Sequence, residues 1–396
     1  MKTMTMLSDY ENNSAPNDVL RDAWVEIDLG ALRSNFFSIK NSLKPGVKIL
    51  AVVKADAYGH GAKMCAKTLD VTGADYFGVA TAKEGIELRD EGIEKPILIL
   101  SQPPKSAIEK IVEFDLMPSI YDAQFAIQYG EAADRVGKKA PFHLAVNTGM
   151  NRIGVLWSEV VEFLSAISFH RALELEGIFT HFATADEIDT LEFERQFTRF
   201  EKAIECVRLA KIDPGIVHCA NSASVLKFPN AHFDMVRPGI ILYGLKPSPE
   251  TIPEIELKPV MSVKAKITDV RSVPVGEGVS YGLRYRSRGY AKVCTIPIGY
   301  ADGLHRVLSG NFNVLLNGKR YQQIGSICMD QCMFEVEQRH LSSKDNFDPQ
   351  VGQVVTLVGK DGEEQLTLDE MANIAQTINY ELACDFGSMR LDRVYV

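Results

Sequence analysis

The stretch Val47-Lys48-Ile49-Leu50-Ala51-Val52-Val53-Lys54-Ala55-Asp56-Ala57-Tyr58-Gly59-His60-Gly61 opens on a nearly continuous apolar run. It ends on a lysine followed by a tyrosine and two glycines. Continuous rather than alternating apolar residues mark a strand buried on both faces, as in a parallel sheet. Seven further runs of this kind follow, at residues 76–81, 96–101, 117–121, 142–147, 173–180, 216–220 and 235–242. Amphipathic stretches separate them, such as 82–91, 158–169 and 190–210. In the last, Phe193, Phe197 and Phe200 recur at helical spacing, with Glu194, Gln196, Arg199, Glu201 and Lys202 on the solvated side. Eight strand–helix units in about 200 residues predict an α/β fold with a (β/α)8 TIM-type barrel. An open dinucleotide-binding sheet would need a G-x-G-x-x-G turn after a strand, and none is in place.

The pattern changes at the proline-rich stretch 247–259, which reads as a linker. Beyond it, period-two alternation at 263–267, 293–298, 314–316, 354–358 and 394–396 predicts strands, and Asn317-Gly318 marks a hairpin. Only 366–378 looks helical, with Thr367 and Glu370 spaced as a capping box. The expected organisation is a polar leader over 1–22, a barrel over 23–248 and a C-terminal mostly-β domain over 249–396. A strand at 24–29, ahead of the barrel, is expected to pair with the C-terminal domain.

Length and charge agree with this division. At roughly 150 residues per domain, 396 residues allow two or three domains. The net charge of −9 argues against a nucleic-acid or anionic-membrane partner, since phosphate-rich surfaces need a cationic excess. No run approaches the roughly 20 apolar residues of a membrane span, and the first residues hold no apolar signal segment. Seven scattered cysteines suit free thiols in a reducing, cytoplasmic setting rather than a disulfide framework. Cys328 and Cys332 lack partners at zinc-like spacing, so no metal site is expected.

Chemistry concentrates at the strand ends. Lys54 closes the first apolar run, and the C-terminal ends of barrel strands carry the active site. A lysine there is either snorkelling to solvent or held as a nucleophilic amine. His218-Cys219-Ala220-Asn221-Ser222-Ala223 ends the seventh run, where Asn221 or Ser222 serves as a helix cap or faces a phosphate. The eighth run contains Arg237, which needs a partner if buried, and Gly239, which permits close approach. His181 ends the sixth. A lysine, a histidine, an arginine and a phosphate-binding helix end on one barrel face fit pyridoxal 5'-phosphate (PLP) held as a lysine Schiff base.

Several separated motifs occur in one order: the Lys54 segment, Asn147-Thr148-Gly149-Met150-Asn151-Arg152-Ile153-Gly154, residues 181–186, 220–223 and 237–240. They continue with Val279-Ser280-Tyr281-Gly282, Gly299-Tyr300-Ala301-Asp302-Gly303, Ile327-Cys328-Met329-Asp330-Gln331 and Ile378-Asn379-Tyr380-Glu381. On these the chain resembles the alanine racemases, PLP enzymes of fold type III, over nearly its whole length. The resemblance implies Lys54 as the Schiff-base lysine and one catalytic base. Tyr281 would be the second base, supplied by the partner subunit of a homodimer. Tyr58, Ser222, Gly239, Ile240 and Tyr380 would hold the phosphate, with Asn221 beside it. Arg237 would face the pyridine nitrogen, with His181 hydrogen-bonded behind it. Arg152 and, across the dimer, the Met329 backbone would orient the substrate carboxylate, and Asp186, Tyr300 and Arg306 would line the access corridor. A cationic Arg–His relay would lower the pKa of Tyr281 from its ordinary value near 10.

The resemblance also implies a cytoplasmic role in supplying D-alanine for peptidoglycan. Two departures stand out. Ala145 occupies the place of a carboxylated lysine, leaving Asn147 with water, or a chloride, to steady Arg152. Ser326 replaces an arginine, which would widen the corridor and make it less cationic. Both raise a broad-specificity or serine racemase as an alternative. A decarboxylase on the same architecture lacks its motifs here, and a non-catalytic PLP carrier would need no second base.

Overall fold

The computed structural model describes residues 20–251, 254–337, 347–387 and 390–396. The chain forms two compact units. Of the described residues, one comprises those in 32–57 and 62–258; the other comprises those in 20–31, 58–61 and 259–396. Most of the expected leader lies outside the described residues.

The first strand, β1 (Ala23–Ile27), is followed by β2 (Lys48–Val52), β3 (Tyr76–Val79), β4 (Ile97–Ile99), β5 (Met117–Ile120) and β6 (Ala140–Asn147). The short β7 (Val155–Leu156) precedes β8 (Leu173–Phe179), β9 (Ile216–His218) and β10 (Met235–Val236). All but β1 form one parallel sheet, in the order β10-β2-β3-β4-β5-β6-β8-β9, with β7 beside β6. Backbone bonds from Asp234 N to the Val217 carbonyl and from Arg237 N to the Ala220 carbonyl join β9 to β10. Eight strands thus form a nearly closed parallel barrel. Its strands are buried on both faces: Leu50, Phe77, Leu98, Ile120, Leu144 and Ile178 are fully buried. Helices connect the strands, the longest being Leu191–Leu209, whose buried face includes Phe193 and Phe200.

The eighth apolar run departs from expectation. Only Met235–Val236 is strand, and Ile240–Tyr243 is a 3-10 turn. Pro238 has no N–H to continue a ladder, so the chain bends where Arg237 and Gly239 stand.

In the other unit, β1 pairs antiparallel with β11 (Met261–Lys266), Val25 opposite Val263, and parallel with the C-terminal Asp392–Tyr395 strand, Val25 opposite Arg393. The expected pairing of the first strand is therefore present, though the strand stops at Ile27. Strict alternation of burial along Met261–Lys266 shows one face on a core. Asn317 and Gly318, at φ 52 and 69, turn Asn313–Leu316 back onto Lys319–Ile324. The predicted helix is shorter than its apolar pattern, Leu368–Ala375, and is capped by Thr367 with Glu370. A second helix, Asn379–Phe386, was not expected. Its N-cap, Ile378, provides no side-chain bond, so it lacks the usual start signal.

Candidate active site

In the barrel, Lys54 lies two residues beyond β2, at the C-terminal end of the strand. The chain then makes a left-handed turn: Ala55, Asp56, Ala57 and Tyr58 have φ of 51, 53, 55 and 54. Such angles cost about 1–2 kcal/mol for each residue with a Cβ, so something must hold the turn. Glu84 Oε1 accepts from Ala55 N at 2.8 Å, and Asp56 Oδ1 accepts from Ala62 N at 2.6 Å. The other oxygen of Glu84 accepts from Ala80 N and Thr81 N at 2.7 and 3.0 Å. One carboxylate therefore ties the end of β3 to the lysine turn. Its sequence signal, Thr81 three residues earlier, announces only a capping box.

Arg237 lies one residue beyond β10 and is 4% exposed. Its Nη1 stands 3.0 Å from His218 Nδ1, and Nη2 donates to the carbonyls of Thr180 at 2.7 Å and Cys219 at 3.3 Å. The guanidinium also lies over the Phe179 ring, 5.3 Å from its centroid. Burial pushes its pKa down to about 10, which leaves it charged at neutral pH. His181 Nδ1 is 3.5 Å from Nη2, so the firm imidazole partner of Arg237 is His218 rather than His181. Behind His218, its Nε2 stands 2.8 Å from His143 Nδ1. This buried string of two histidines was missed at the sequence level, because His143 sits inside an apolar strand and nothing local marks it.

All three imidazoles are neutral at physiological pH. Burial first, then the Arg237 charge, pushes His143 down to about 3. His218 is lowered by the same causes. His181 falls to about 3 through burial, then Arg237, Arg152 and Lys54. The expected cationic Arg–His relay is therefore corrected: the charge resides on the arginine alone.

Ser222 begins the Ser222–Lys227 helix, with Asn221 as its cap accepting from Ser224 N at 3.0 Å. Ser222 Oγ accepts from Gly239 N at 2.9 Å. Its hydroxyl proton stays available, and Ile240 follows at once. Asn147 organises the loop of Arg152: its Oδ1 accepts from Gly149 N and Asn151 N, both at 3.1 Å. Among the described residues Asn147 makes no bond to Arg152, so it shapes the loop rather than steadying the guanidinium directly. Asp186 is half-buried, and its carbonyl accepts from Ser248 Oγ at 3.1 Å.

In the other unit, Tyr281 is 73% exposed and Met329 54%. The Met329 carbonyl accepts from Ala301 N at 3.0 Å, and the Cys328 carbonyl accepts from Tyr300 N at the same distance. These bonds hold the Tyr300 turn to the Met329 segment. Buried Asp302 braces that turn, accepting from Gly299 N at 2.9 Å and from both Nη atoms of Arg21. Arg306 is exposed. Tyr58 and Tyr380 have ring centroids 6.0 Å apart, and burial raises the Tyr58 phenol above its ordinary range. Ser326 is 3% exposed, and its Oγ donates to the Tyr281 carbonyl at 3.1 Å.

The donor set suits PLP. The Nε–H of buried Arg237 has no acceptor among the described residues, which fits an unprotonated pyridine nitrogen. The Ser222 hydroxyl has a proton to give a phosphate. Lys54 supplies the amine.

The chain is similar to known proteins over nearly its whole length. The family model described as "Alanine racemase, N-terminal domain" matches residues 27–247, and "Alanine racemase, C-terminal domain" matches 260–395. An alanine racemase of Desulfovibrio desulfuricans is 44% identical over 376 residues, spanning 95% of this chain and 98% of its own. The structure of alanine racemase from Clostridium difficile 630 superposes with a TM-score of 0.90 at 38% identity, covering 96% of this chain and 97% of that one. A histidine racemase from Leuconostoc mesenteroides gives 0.86 at 29% identity, covering 97% and 100%.

Proposed function

The chain belongs to the alanine racemase family, and on that premise we propose that it is an isomerase interconverting L- and D-alanine with PLP. Lys54 and Arg237 leave neighbouring, directly paired strands at the same end, with Met235 opposite Lys48 and Val236 opposite Ile49. That juxtaposition of an amine and a buried guanidinium carries the assignment.

When bound, PLP withdraws electrons from the amino acid and acidifies its α-proton. The residues do the rest. Lys54 takes or returns the proton on one face, and Tyr281 of a second copy of the chain serves the other, so neither base need cross the substrate plane. Arg237 keeps its protons and would donate to the pyridine nitrogen of PLP without protonating it. Ser222 and the backbone at Gly239 and Ile240 would hold the phosphate, with Asn221 beside them. The family pattern adds Tyr58 and Tyr380 to that group. Arg152 and the Met329 N–H of a second copy of the chain would orient the substrate carboxylate. Asp186, Tyr300 and Arg306 shape the access.

A homodimer is part of the proposal, supported by the exposure of Tyr281 and Met329 in the single chain. A cytoplasmic enzyme supplying D-alanine for peptidoglycan follows from the family. No helix among the described residues is long and apolar enough to cross a membrane.

The test is loss of optical rotation from L-alanine, L-serine, L-histidine and L-lysine by the PLP-loaded protein. Alanine turnover well above the others is expected. No turnover of any, with PLP bound, overturns the proposal, and gas release points to decarboxylation. The full-length fold match to a histidine racemase, together with Ala145 and Asn147, favours broad specificity as the second reading. Comparable rates on several substrates would establish it.

A further inference from the structure

The segment that carries Tyr281 is bent through angles that side chains rarely adopt. Ser280 has φ 67 and ψ −177, Gly282 has φ 76 and Leu283 has φ 46. The Ser280 angles fall in a region otherwise kept almost wholly for glycine, and such conformations persist only where the surroundings over-determine them. Here the 325–328 segment does so. Ser280 Oγ donates to the Ser326 carbonyl at 2.6 Å, and Ser326 Oγ donates to the Tyr281 carbonyl at 3.1 Å. Each serine thus bonds the other's segment. The segments are in close contact beside the clasp: a Cβ on Gly325 would lie 2.8 Å from Ser280 Cβ and 2.9 Å from the Val279 carbonyl. Cys328 Sγ is 3.5 Å from Ser280 Oγ. Ser326, which fixes the Tyr281 carbonyl, is 3% exposed, while Tyr281 itself is 73% exposed.

We propose that Ser326 is a positioning residue for Tyr281, with Ser280 as its reciprocal partner. The proposal rests on Tyr281 being the second proton-transfer group. Within its own chain the phenol has little packing to aim it, so the direction in which it leaves the chain is set by its backbone. The backbone on both sides of Tyr281 lies at positive φ, where loss of one hydroxyl lets the peptide units rotate toward ordinary angles. Proton transfer is sensitive to such displacement, since misplacement by about 1 Å costs on the order of a hundredfold in rate.

Four variants in the PLP-loaded enzyme test this: Ser326→Ala, Ser326→Thr, Ser280→Gly and Tyr281→Phe. Ser326→Ala should lower kcat at least about tenfold with little change in KM. The isotope effect with α-deuterated alanine should rise in one direction of racemisation only, because one of two bases is misplaced. Ser326→Thr keeps the hydroxyl and should recover most of the rate. Ser280→Gly relieves the backbone while removing the bond to Ser326, so its melting temperature should hold or rise while kcat falls. Amide exchange at 281–283 in the cofactor-free protein should quicken in both Ser326→Ala and Ser280→Gly. A merely structural role would move stability and rate together and raise the isotope effect in neither direction or both. That result, or a wild-type kcat in Ser326→Ala, overturns the proposal. If Ser326→Ala fails to fold, Ser280→Gly and Ser326→Thr decide it by the same criteria. Undiminished turnover in Tyr281→Phe instead overturns the role of Tyr281, whatever the serine variants do.

Discussion

Nη1 of Arg237 stands 3.0 Å from Nδ1 of His218, and this pair sets the charge at the floor of the proposed cofactor site. The arginine can only donate, so His218 Nδ1 accepts and its proton resides on Nε2. That proton is then donated to His143. The order of donors runs inward from the site, and it holds only while both imidazoles stay neutral.

Replacing His218 by leucine removes the acceptor of Arg237 Nη1 and strands a buried charge–dipole contact. Unfolding free energy should fall by about 1–3 kcal/mol, and PLP affinity should fall because the guanidinium loses its set orientation. Urea unfolding of the cofactor-free protein and PLP titration by absorbance measure the two effects. Unchanged values in both would show that His218 does not orient Arg237.

His143 gives a pH dependence of defined sign. Its folded pKa of about 3 is depressed from 6.5. Between those values the unfolded chain binds the proton and the folded barrel does not. The stability tied to neutral His143 is therefore fully present above pH 6.5 and is lost as pH falls toward 3. His143→Gln does not titrate, so the stability difference between wild type and this variant should shrink from pH 7.5 to pH 5. A difference that widens over that range would mean His143 is charged in the folded barrel.

Glu84 holds the left-handed turn behind Lys54. Glu84→Ala leaves the amides of Ala55, Ala80 and Thr81 without that acceptor and should cost about 1–3 kcal/mol. Glu84→Gln keeps one carbonyl oxygen and should cost less. Loss of covalently held PLP, read by borohydride trapping on Lys54, should follow the same order. Equal trapping in all three proteins would show that the turn needs no brace.

A site completed by a second copy predicts complementation. Lys54→Ala and Tyr281→Phe should each be nearly inactive as homodimers. Random mixing of the two should recover about a quarter of wild-type activity, since half the dimers are mixed and each contains one intact pair. No recovery, with mixed dimers confirmed by mass, rejects the shared site.

Much of the fold was legible because burial writes a local period into the chain. The run at 47–53 became Lys48–Val52, and the stretch 190–210 became Leu191–Leu209. The eighth run was over-read, since apolar composition at 240–243 does not distinguish a strand from a 3-10 turn. The helix at Asn379–Phe386 was missed because its start has no side-chain cap. Of the site, Lys54, Arg237 and Ser222 were found because each interrupts or ends an apolar run. Glu84, His143 and His218 were not assigned roles, because each acts on a residue 19 to 75 positions away.

The order of strands and the residue types at their ends were determined by the sequence alone, since both follow from periodicity within a few residues. Which imidazole meets Arg237, that Ser326 bonds Tyr281 rather than solvent, and that Lys54 sits on a left-handed turn were decided only by the tertiary structure. Hydrogen bonds between distant segments are directional and short-ranged. They exist only once folding has brought those segments within about 3 Å.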